Sequence, residues 1–337
     1  MQRRDFLSAG AAASTAALAA PSARGADEAA DYRFKLGMYL GELDLPFDES
    51  LATAKQIGAQ YVWFNVLKGE TPIGRMSDAE ADRMAKRVAR HDLKILLFNA
   101  GNPFKQIHLT DLNVKDPEAL PAFKEQLADL RRSMEIARRI GVGTVGCFSF
   151  AWPGEYSAEH PTWPMRWATR GGIISDLELE KLVRAFSLVL DQAERYNVDV
   201  ALAMMPWNYT NTTTNFRRLA ETLGSKRIKV MWGPADNWNS GEWDVATTGL
   251  ENVRPFLHGL HLKDLHVSDG SRLKFEYKPL GEGDVDYVTI LRRLREQRTG
   301  AVLSVSTHFR PPSGDRVEAM RMNYRNIHAL IRKAAGG

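Results

Sequence analysis

Residues 259–287 hold the side chains with the clearest capacity for chemistry. His261, Lys263 and Asp264 stand at the end of an apolar, strand-like run, and a glycine-punctuated turn at residues 279–284 follows them. Imidazole and amine groups transfer protons in enzymes, while a carboxylate accepts hydrogen bonds from a ligand. Glycines in such a turn let the backbone approach a ligand closely. We predict that His261 and Lys263 are catalytic residues and that Asp264 contacts the substrate.

Polar and aromatic residues recur where other strand-like runs end. If these runs form a parallel α/β barrel, their carboxyl ends meet at one face, where the chemistry of such barrels lies. Amides donate and accept hydrogen bonds, and aromatic rings stack on sugars, so this composition indicates a hydroxyl-rich, uncharged ligand. We therefore expect a small-molecule carbohydrate as the partner. The predicted substrate contacts are Trp207, Asn208, Glu155, Asp236 and His308.

The elements that must position these residues alternate regularly from residue 33 onward. The strand-like runs are residues 35–40, 60–66, 94–99, 144–150, 199–204, 228–232, 257–262 and 301–307. The amphipathic helical patterns are residues 50–57, 78–91, 117–140, 176–196, 213–223, 245–255, 287–295 and 317–333. Four of the predicted helices end at a residue suited to a left-handed C-cap, namely Gly58, Gly141, Asn197 and Gly224.

Apolar strands that alternate with helices indicate a parallel sheet. Eight such units predict a closed (β/α)8 TIM barrel, which we expect to form a single domain of residues 27–337. An open doubly wound sheet is the alternative architecture. It would require a glycine-rich phosphate-binding turn after the first strand, and residues 41–44 do not form one.

The motifs at the predicted rim resemble those of the sugar phosphate isomerase/epimerase group, the xylose isomerase-like TIM barrels. The resemblance is carried by His-Leu-Lys-Asp at residues 261–264 and Pro-Leu-Gly-Glu-Gly-Asp-Val-Asp-Tyr at residues 279–287. Residues 141–144, 206–208 and 304–308 support it, and it spans essentially the whole chain after the predicted signal peptide. It implies a sugar isomerase or epimerase that moves a proton between neighbouring carbons. It also implies one divalent metal (Mn, Mg, Co or Zn).

The family holds that metal with carboxylates on the fifth, sixth and eighth strands and a histidine on the seventh. When the family's ligand positions are carried over to this chain one by one, only the histidine is present, as His261. The three carboxylate positions hold Ala203, Gly233 and Ser306. One imidazole cannot supply a site for a hard cation, and these three residues cannot relay a proton near neutral pH. The sequence therefore predicts a degenerate metal site in which His261 is the remaining ligand.

Three functions stay open on the sequence alone. The chain is an active sugar isomerase or epimerase, a non-catalytic or inactivated sugar-binding barrel, or a metal-free enzyme with a different acid or base. For the third function the candidate acid–base residues are Lys263, His261 and Glu155.

Structural roles are the alternative for several of these residues. Lys263 and Asp264 could pair with each other, and His261 could bond to Asp264 or to a backbone group. Arg310 could be held by Asp315. Each of these pairings would use the side chain to stabilise the barrel rim instead of contacting a ligand.

Composition excludes some classes of partner. The chain has 337 residues, with 45 Lys+Arg against 41 Asp+Glu, and its charges are spread along the sequence without a basic tail. We therefore expect no nucleic-acid partner. The single cysteine, Cys147, excludes an internal disulfide and a cysteine-based zinc site, and its apolar neighbours predict a buried strand. The composition is compatible with an oligomer.

Residues 1–26 read as a twin-arginine signal peptide. Arg3 and Arg4 precede Asp-Phe-Leu, and an alanine-rich apolar run occupies residues 9–20. That run is too short to span a bilayer and has no stop-transfer sequel, so we expect no stable membrane anchor. We predict a periplasmic or otherwise exported protein.

Overall fold

The computed structural model describes residues 32–152, 156–157, 160–161, 172–269 and 274–336. The barrel belongs to one compact unit, Arg33–Gly337. The predicted signal peptide and Glu155 lie outside the described residues. Within the part of the chain that the structure describes, no helix combines the length and apolar character needed to cross a membrane.

Eight parallel strands close into a barrel in chain order, which confirms the predicted (β/α)8 TIM barrel. They are β1 (Lys35–Tyr39), β2 (Tyr61–Phe64), β3 (Lys94–Phe98), β4 (Thr144–Phe148), β5 (Asp199–Ala203), β6 (Ile228–Trp232), β7 (Leu257–Leu262) and β8 (Val302–Val305). The barrel closes where β8 pairs with β1, with Lys35 opposite Val302. Because the strands are parallel, all their carboxyl ends open at one mouth.

Helices connect and surround these strands. They are α1 (Phe47–Ile57), α2 (Asp78–Arg90), α3 (Pro121–Ile140), α4 (Asp176–Tyr196), α5 (Thr213–Leu223), α6 (Pro234–Asn239), α7 (Leu250–Val253), α8 (Tyr287–Glu296) and α9 (Arg316–Ala334). The predicted bounds of α4 and α5 are confirmed. The predicted helix of residues 245–255 is wrong as one element, because a π-helical turn precedes α7 and a 3-10 turn containing Pro255 follows it.

Helix ends follow the chemistry expected of them. The predicted left-handed C-caps are confirmed, with positive φ at Gly58, Gly141, Asn197 and Gly224. At the start of α4, the Ser175 hydroxyl accepts the Glu178 N–H, and the Glu178 carboxylate accepts the Ser175 N–H. This reciprocal capping box fixes where the helix begins.

An antiparallel hairpin, here called the mouth hairpin, follows β7. It pairs Asp264–Asp269 with Lys274–Lys278, and Leu265 lies opposite Tyr277. The predicted strand-like runs do not include these two segments, which form a β-ladder. The hairpin rises from the carboxyl end of β7 and therefore adds side chains to the barrel mouth.

Apolar side chains fill the barrel interior below the mouth. Leu96, Met231 and Val302 come from three different strands and belong to one buried cluster. They converge on Gly259 of β7, where an added Cβ would lie 3.0 Å from the Met231 sulfur and 3.6 Å from a Leu96 methyl. Cys147 is fully buried on β4, as predicted, and burial raises the pKa of its thiol. This packed interior leaves the carboxyl-end mouth as the place for polar chemistry.

Candidate active site

A buried lysine–aspartate ion pair lies at the barrel mouth. Lys263 directly follows β7, and Asp236 lies in α6, the short helix that begins just after β6. Lys263 Nζ is 2.9 Å from Asp236 Oδ1, and the two side chains are only 2% and 5% exposed. The alternative in which Lys263 pairs with Asp264 is therefore wrong. Two elements that are separate in the sequence bring opposite charges together inside the mouth.

Burial and pairing act in opposite directions on Lys263. Burial lowers the pKa of the Lys263 ammonium, but the charge and hydrogen bond of Asp236, with contributions from Tyr277 and Glu42, hold that pKa above its usual range. Burial raises the pKa of Asp236 despite the opposing charge of Lys263. The lysine therefore stays protonated at neutral pH, and Asp236 binds a proton more readily than an exposed carboxylate does. Asp236 Oδ2 is buried and accepts no hydrogen bond from the described residues.

A second charged cluster borders this pair. Glu42, in the turn after β1, lies 2.7 Å from His308 Nδ1 and 3.2 Å from the Arg310 guanidinium. Burial alone would raise the pKa of Glu42, but the hydrogen bonds and charges of His308 and Arg310 hold it below its usual range. The alternative in which Asp315 holds Arg310 is wrong, because Asp315 accepts backbone N–H groups at the start of α9.

The two clusters meet at His308. Its Nε2 lies 3.5 Å from Lys263 Nζ, and an ammonium can only donate. In the neutral ring, Nε2 therefore accepts from Lys263 while Nδ1–H donates to Glu42. The result is a continuous polar chain of Glu42, His308, Lys263 and Asp236 across the mouth.

The mouth hairpin contributes Tyr277 to this chain. The Tyr277 ring lies 4.9 Å from the His308 ring, and burial raises the pKa of its hydroxyl against the lowering effect of nearby Lys263. Neither Tyr277 nor Glu42 is among the site residues predicted from the sequence. Glu42 was detectable as a charged residue just beyond a predicted strand end. Tyr277 was not, because only the hairpin pairing carries it to the site.

His261 is a neutral, enclosed imidazole. Its ring packs edge-on against Trp63, at 5.3 Å between ring centroids, and against Tyr39 at 6.3 Å. Burial, and next the charge of Lys263, hold the pKa of His261 well below its usual range. His261 Nε2 is buried and makes no hydrogen bond to the described residues. It does not bond to Asp264, so that alternative is wrong.

The Asp264 carboxylate anchors the glycine turn after the mouth hairpin. It accepts the backbone N–H groups of Gly281 at 2.8 Å, Leu265 at 2.9 Å, Gly283 at 3.2 Å and Val285 at 3.4 Å. Burial raises the pKa of Asp264 to about 6, against the lowering effect of these bonds. The carboxylate thus fixes the course of the turn, and its predicted contact with substrate stays a prediction.

Asn208 joins the segments that follow β4 and β5. Its side-chain amide N–H donates to the Phe150 backbone carbonyl at 2.7 Å, and its backbone carbonyl accepts the Trp152 indole N–H at 2.9 Å. Asn208 is fully buried, and its Oδ1 has no hydrogen bond among the described residues. The amide N–H and the backbone carbonyl of Asn208 therefore connect the two segments, and its side-chain oxygen is left without a hydrogen bond.

Trp207 lines the mouth beside Lys105, which is not among the site residues predicted from the sequence. Lys105 Nζ lies 5.3 Å from the Phe148 ring centroid and 5.4 Å from the Trp207 ring centroid, which are cation–π distances. Burial, and next the charge of Lys263, lower the pKa of Lys105 to about 8. Lys105 lies in the loop after β3, where no pattern in the sequence marked it.

The described residues do not fit a divalent metal. Ala203, Gly233 and Ser306 offer no carboxylate, and the described part of the chain contains no cluster of three or more His, Cys, Asp or Glu side chains that could hold a metal. Asp236, the buried carboxylate just after β6, is already paired with Lys263. A fixed ammonium beside that carboxylate repels a second cation.

Comparison with known proteins agrees with this architecture. Residues 51–326 match the family model of the xylose isomerase-like TIM barrel. No curated protein matches the chain.

Several solved structures share the fold. An L-ribulose 3-epimerase is 15% identical with a TM-score of 0.64, and the match covers 90% of this chain and 96% of that one. The IOLI protein, solved with a binding zinc atom, is 16% identical with a TM-score of 0.64 and coverage of 89% and 98%. The 3-keto-D-glucoside 4-epimerase YcjR from E. coli is 17% identical with a TM-score of 0.62 and coverage of 89% and 99%. At such identities the likeness establishes the fold alone.

Proposed function

Because this chain belongs to the xylose isomerase-like TIM barrel family, we propose that it moves a proton between neighbouring carbons of a sugar or keto-sugar, as an isomerase or epimerase. The observation that carries the proposal is the buried Lys263–Asp236 pair at the mouth, with His308 beside it. Acid and base groups of this kind are what proton transfer at carbon requires. The epimerases among the similar structures support the same reaction class.

The chemistry follows from the positions of the charged groups. A carbon next to a carbonyl releases its proton when a base accepts it and a donor stabilises the enediolate oxygen. We assign the base to Asp236, whose pKa burial raises, and the donor to Lys263, which His308 helps to position. Return of the proton to the neighbouring carbon isomerises the sugar. Return to the opposite face of the same carbon epimerises it.

Polar atoms around the mouth support a hydroxyl-rich ligand. Asn99 Oδ1, Asp236 Oδ2, His261 Nε2 and Ser306 Oγ are buried and have no hydrogen-bond partner among the described residues. Leaving such groups unsatisfied costs about 1–3 kcal/mol each, so a site that contains several of them favours a ligand that can bond to them. A sugar offers both donors and acceptors around its ring.

Hydrogen exchange with solvent tests this proposal. The protein is incubated in D2O with a panel of aldoses, ketoses and keto-glycosides, and NMR follows deuterium incorporation next to the carbonyl. We expect exchange with the substrate and a loss of about 10²–10⁴-fold in rate for Asp236→Asn, which removes the base. Asp92→Asn makes the same chemical change at an exposed ion pair and serves as the control. Absence of exchange across the panel would overturn the proposal.

A non-catalytic sugar-binding barrel is the second candidate. Ala203 and Ser306 favour it, because the family's fifth- and eighth-strand acid–base groups are missing from this chain. Trp207→Ala is predicted to weaken sugar binding measured by calorimetry by about tenfold, since aromatic stacking on a sugar is lost. Binding without hydrogen exchange would support this second function. Unchanged affinity would remove Trp207 from the binding site.

Export is a separate part of the proposal. Arg3 and Arg4 with the apolar run of residues 9–20 support a twin-arginine signal. Fusion of residues 1–31 to a reporter that is active only outside the cytoplasm is expected to give signal, and Arg3→Lys with Arg4→Lys is expected to abolish it. A reporter signal that survives both changes would contradict this route.

A further inference from the structure

We propose that Lys263 and Asp236 together replace the divalent cation of the metal-binding members of the family. The Lys263 ammonium supplies the positive charge, and the Asp236 carboxylate fills the space left by Gly233. The catalytic use of this arrangement rests on the proposed function. The exclusion of metal does not rest on the proposed function, and it can be tested without a substrate.

The first argument concerns space at Gly233. This residue directly follows β6, at the position where the resemblance places a metal-binding aspartate. A Cβ added at Gly233 would lie 2.5 Å from Asp236 Oδ2, closer than real Cβ contacts. The backbone itself does not require glycine, because φ is −108° and ψ is 88° at this residue. The obstacle to a side chain at this position is therefore the Asp236 carboxylate, which would have to shift.

Helix geometry explains how Asp236 reaches that space. Asp236 lies in the first turn of α6, and its backbone N–H donates to the Gly233 carbonyl at 3.0 Å. One turn of helix thus folds the side chain of residue 236 back beside residue 233. A carboxylate at position 233 and the present position of Asp236 exclude each other.

The second argument concerns charge. Lys263 Nζ lies 2.9 Å from Asp236 Oδ1 in a site from which water is almost excluded. A buried carboxylate needs a counter-charge, and here the ammonium provides it. A divalent cation at the same carboxylate would face a fixed positive charge with little screening. The Lys263 ammonium therefore neutralises the buried Asp236 carboxylate and also opposes the binding of a metal cation there.

The third argument concerns the donors that remain for a ligand. An ammonium has three N–H donors. Among the described residues, Lys263 directs two of them at Asp236 and His308, which leaves one for a substrate oxygen. In the reaction, a carbon-bound proton passes to Asp236, the electron pair forms an enediolate, and the lysine donates to its oxygen. The proton then returns to carbon, so the step needs no further reactant.

Metal analysis gives the first test. The purified protein is dialysed, its divalent metal is counted per chain, and Mn2+, Mg2+, Co2+ and Zn2+ are each titrated by calorimetry. We expect far less than one equivalent after dialysis and no saturable binding. One tightly bound metal per chain would overturn the inference, whether or not any sugar reacts.

Back-substitution gives the second test. Ala203→Glu, Gly233→Asp and Ser306→Glu restore the three carboxylates but leave Lys263 and Asp236 in place. We expect no metal binding from this variant. Adding Lys263→Met and Asp236→Ala removes the ammonium and frees the space, and metal binding is expected to appear. Equal metal affinity with and without the last two changes would show that the pair does not replace the metal.

A thermal-unfolding comparison covers the case in which these variants fail to fold. Gly233→Ala is made in the wild-type chain and in the Lys263→Met/Asp236→Ala background. We expect a clear fall in Tm in the wild type and little or no fall in the background, where the colliding carboxylate is absent. Equal falls in both would overturn the spatial argument. This readout depends on neither metal nor activity, so it separates failure of the inference from failure of the proposed function.

Discussion

At the residue scale, the buried Lys263–Asp236 ion pair is the feature on which the predicted stability effects and the proposed chemistry both rest. Burial desolvates both Lys263 and Asp236, and the attraction between the two charges opposes that cost. Removal of one partner leaves the other charge buried without compensation. The exposed pair of Lys55 and Asp92, at 2.7 Å, has nearly the same separation but lies in solvent. The two pairs differ in burial, which makes them a matched comparison.

Lys263→Met is predicted to lower the free energy of unfolding by about 3–5 kcal/mol, since Asp236 is left as a buried, unpaired carboxylate. Lys55→Met, the control at the exposed pair, is predicted to cost about 0–1 kcal/mol. Urea unfolding at neutral pH measures both. Equal costs for the two variants would show that burial does not decide the strength of the Lys263 pair.

A pH dependence follows from Glu42. Its folded-state pKa lies below the ordinary value of 4.5, because the bonds and charges of His308 and Arg310 outweigh burial. The carboxylate therefore contributes stability that is fully present above pH 4.5 and is lost as the pH falls through the folded-state pKa.

Glu42→Gln removes this contribution. The stability difference between the wild type and this variant is predicted to be largest at neutral pH and to shrink at acid pH below the ordinary glutamate range. Urea unfolding of both proteins across that interval provides the check. A difference that stays constant with pH would mean that Glu42 is not held ionised by its partners.

At the scale of elements, the sequence predicts strands and long helices well and predicts short elements poorly. The α4 helix was predictable because Ser175 and Glu178 mark its start and Asn197 marks its end. The α6 helix has six residues, too few to show a periodic pattern, and the mouth hairpin reads as a polar loop. Those two elements carry Asp236 and Tyr277. The sequence therefore predicts which residues stand at the strand ends of the candidate site, but not which of them pair with one another.

The glycine turn after the mouth hairpin gives a prediction at this scale. A Cβ at Gly283 would collide with Asp264 Oδ1 and with the Leu265 carbonyl oxygen. Gly283→Ala is predicted to cost about 1–3 kcal/mol of stability, the usual range for overpacking. Gly143→Ala adds the same methyl group where no atom lies within 4 Å and serves as the control. Equal Tm values for the two variants would show that the turn does not depend on this close approach.

At the scale of the whole molecule, the barrel combines a packed apolar interior with a polar mouth. Its parallel strands place residues from β6, β7 and β8 around one opening, although they are distant in the sequence. The fold itself followed from the alternation of elements. The pairing of Lys263 with Asp236 does not follow from that alternation, because it depends on how α6 turns back beside Gly233. The molecule therefore has its family's architecture, and its mouth holds the Lys263–Asp236 pair.

The most direct test of this account is hydrogen exchange measured on protein whose metal content is known. The dialysed chain is treated with EDTA, its divalent metal is counted, and deuterium incorporation into a reacting sugar is followed by NMR. The account predicts full exchange with essentially no bound metal. Exchange that disappears with EDTA and returns with one equivalent of a divalent cation would contradict it.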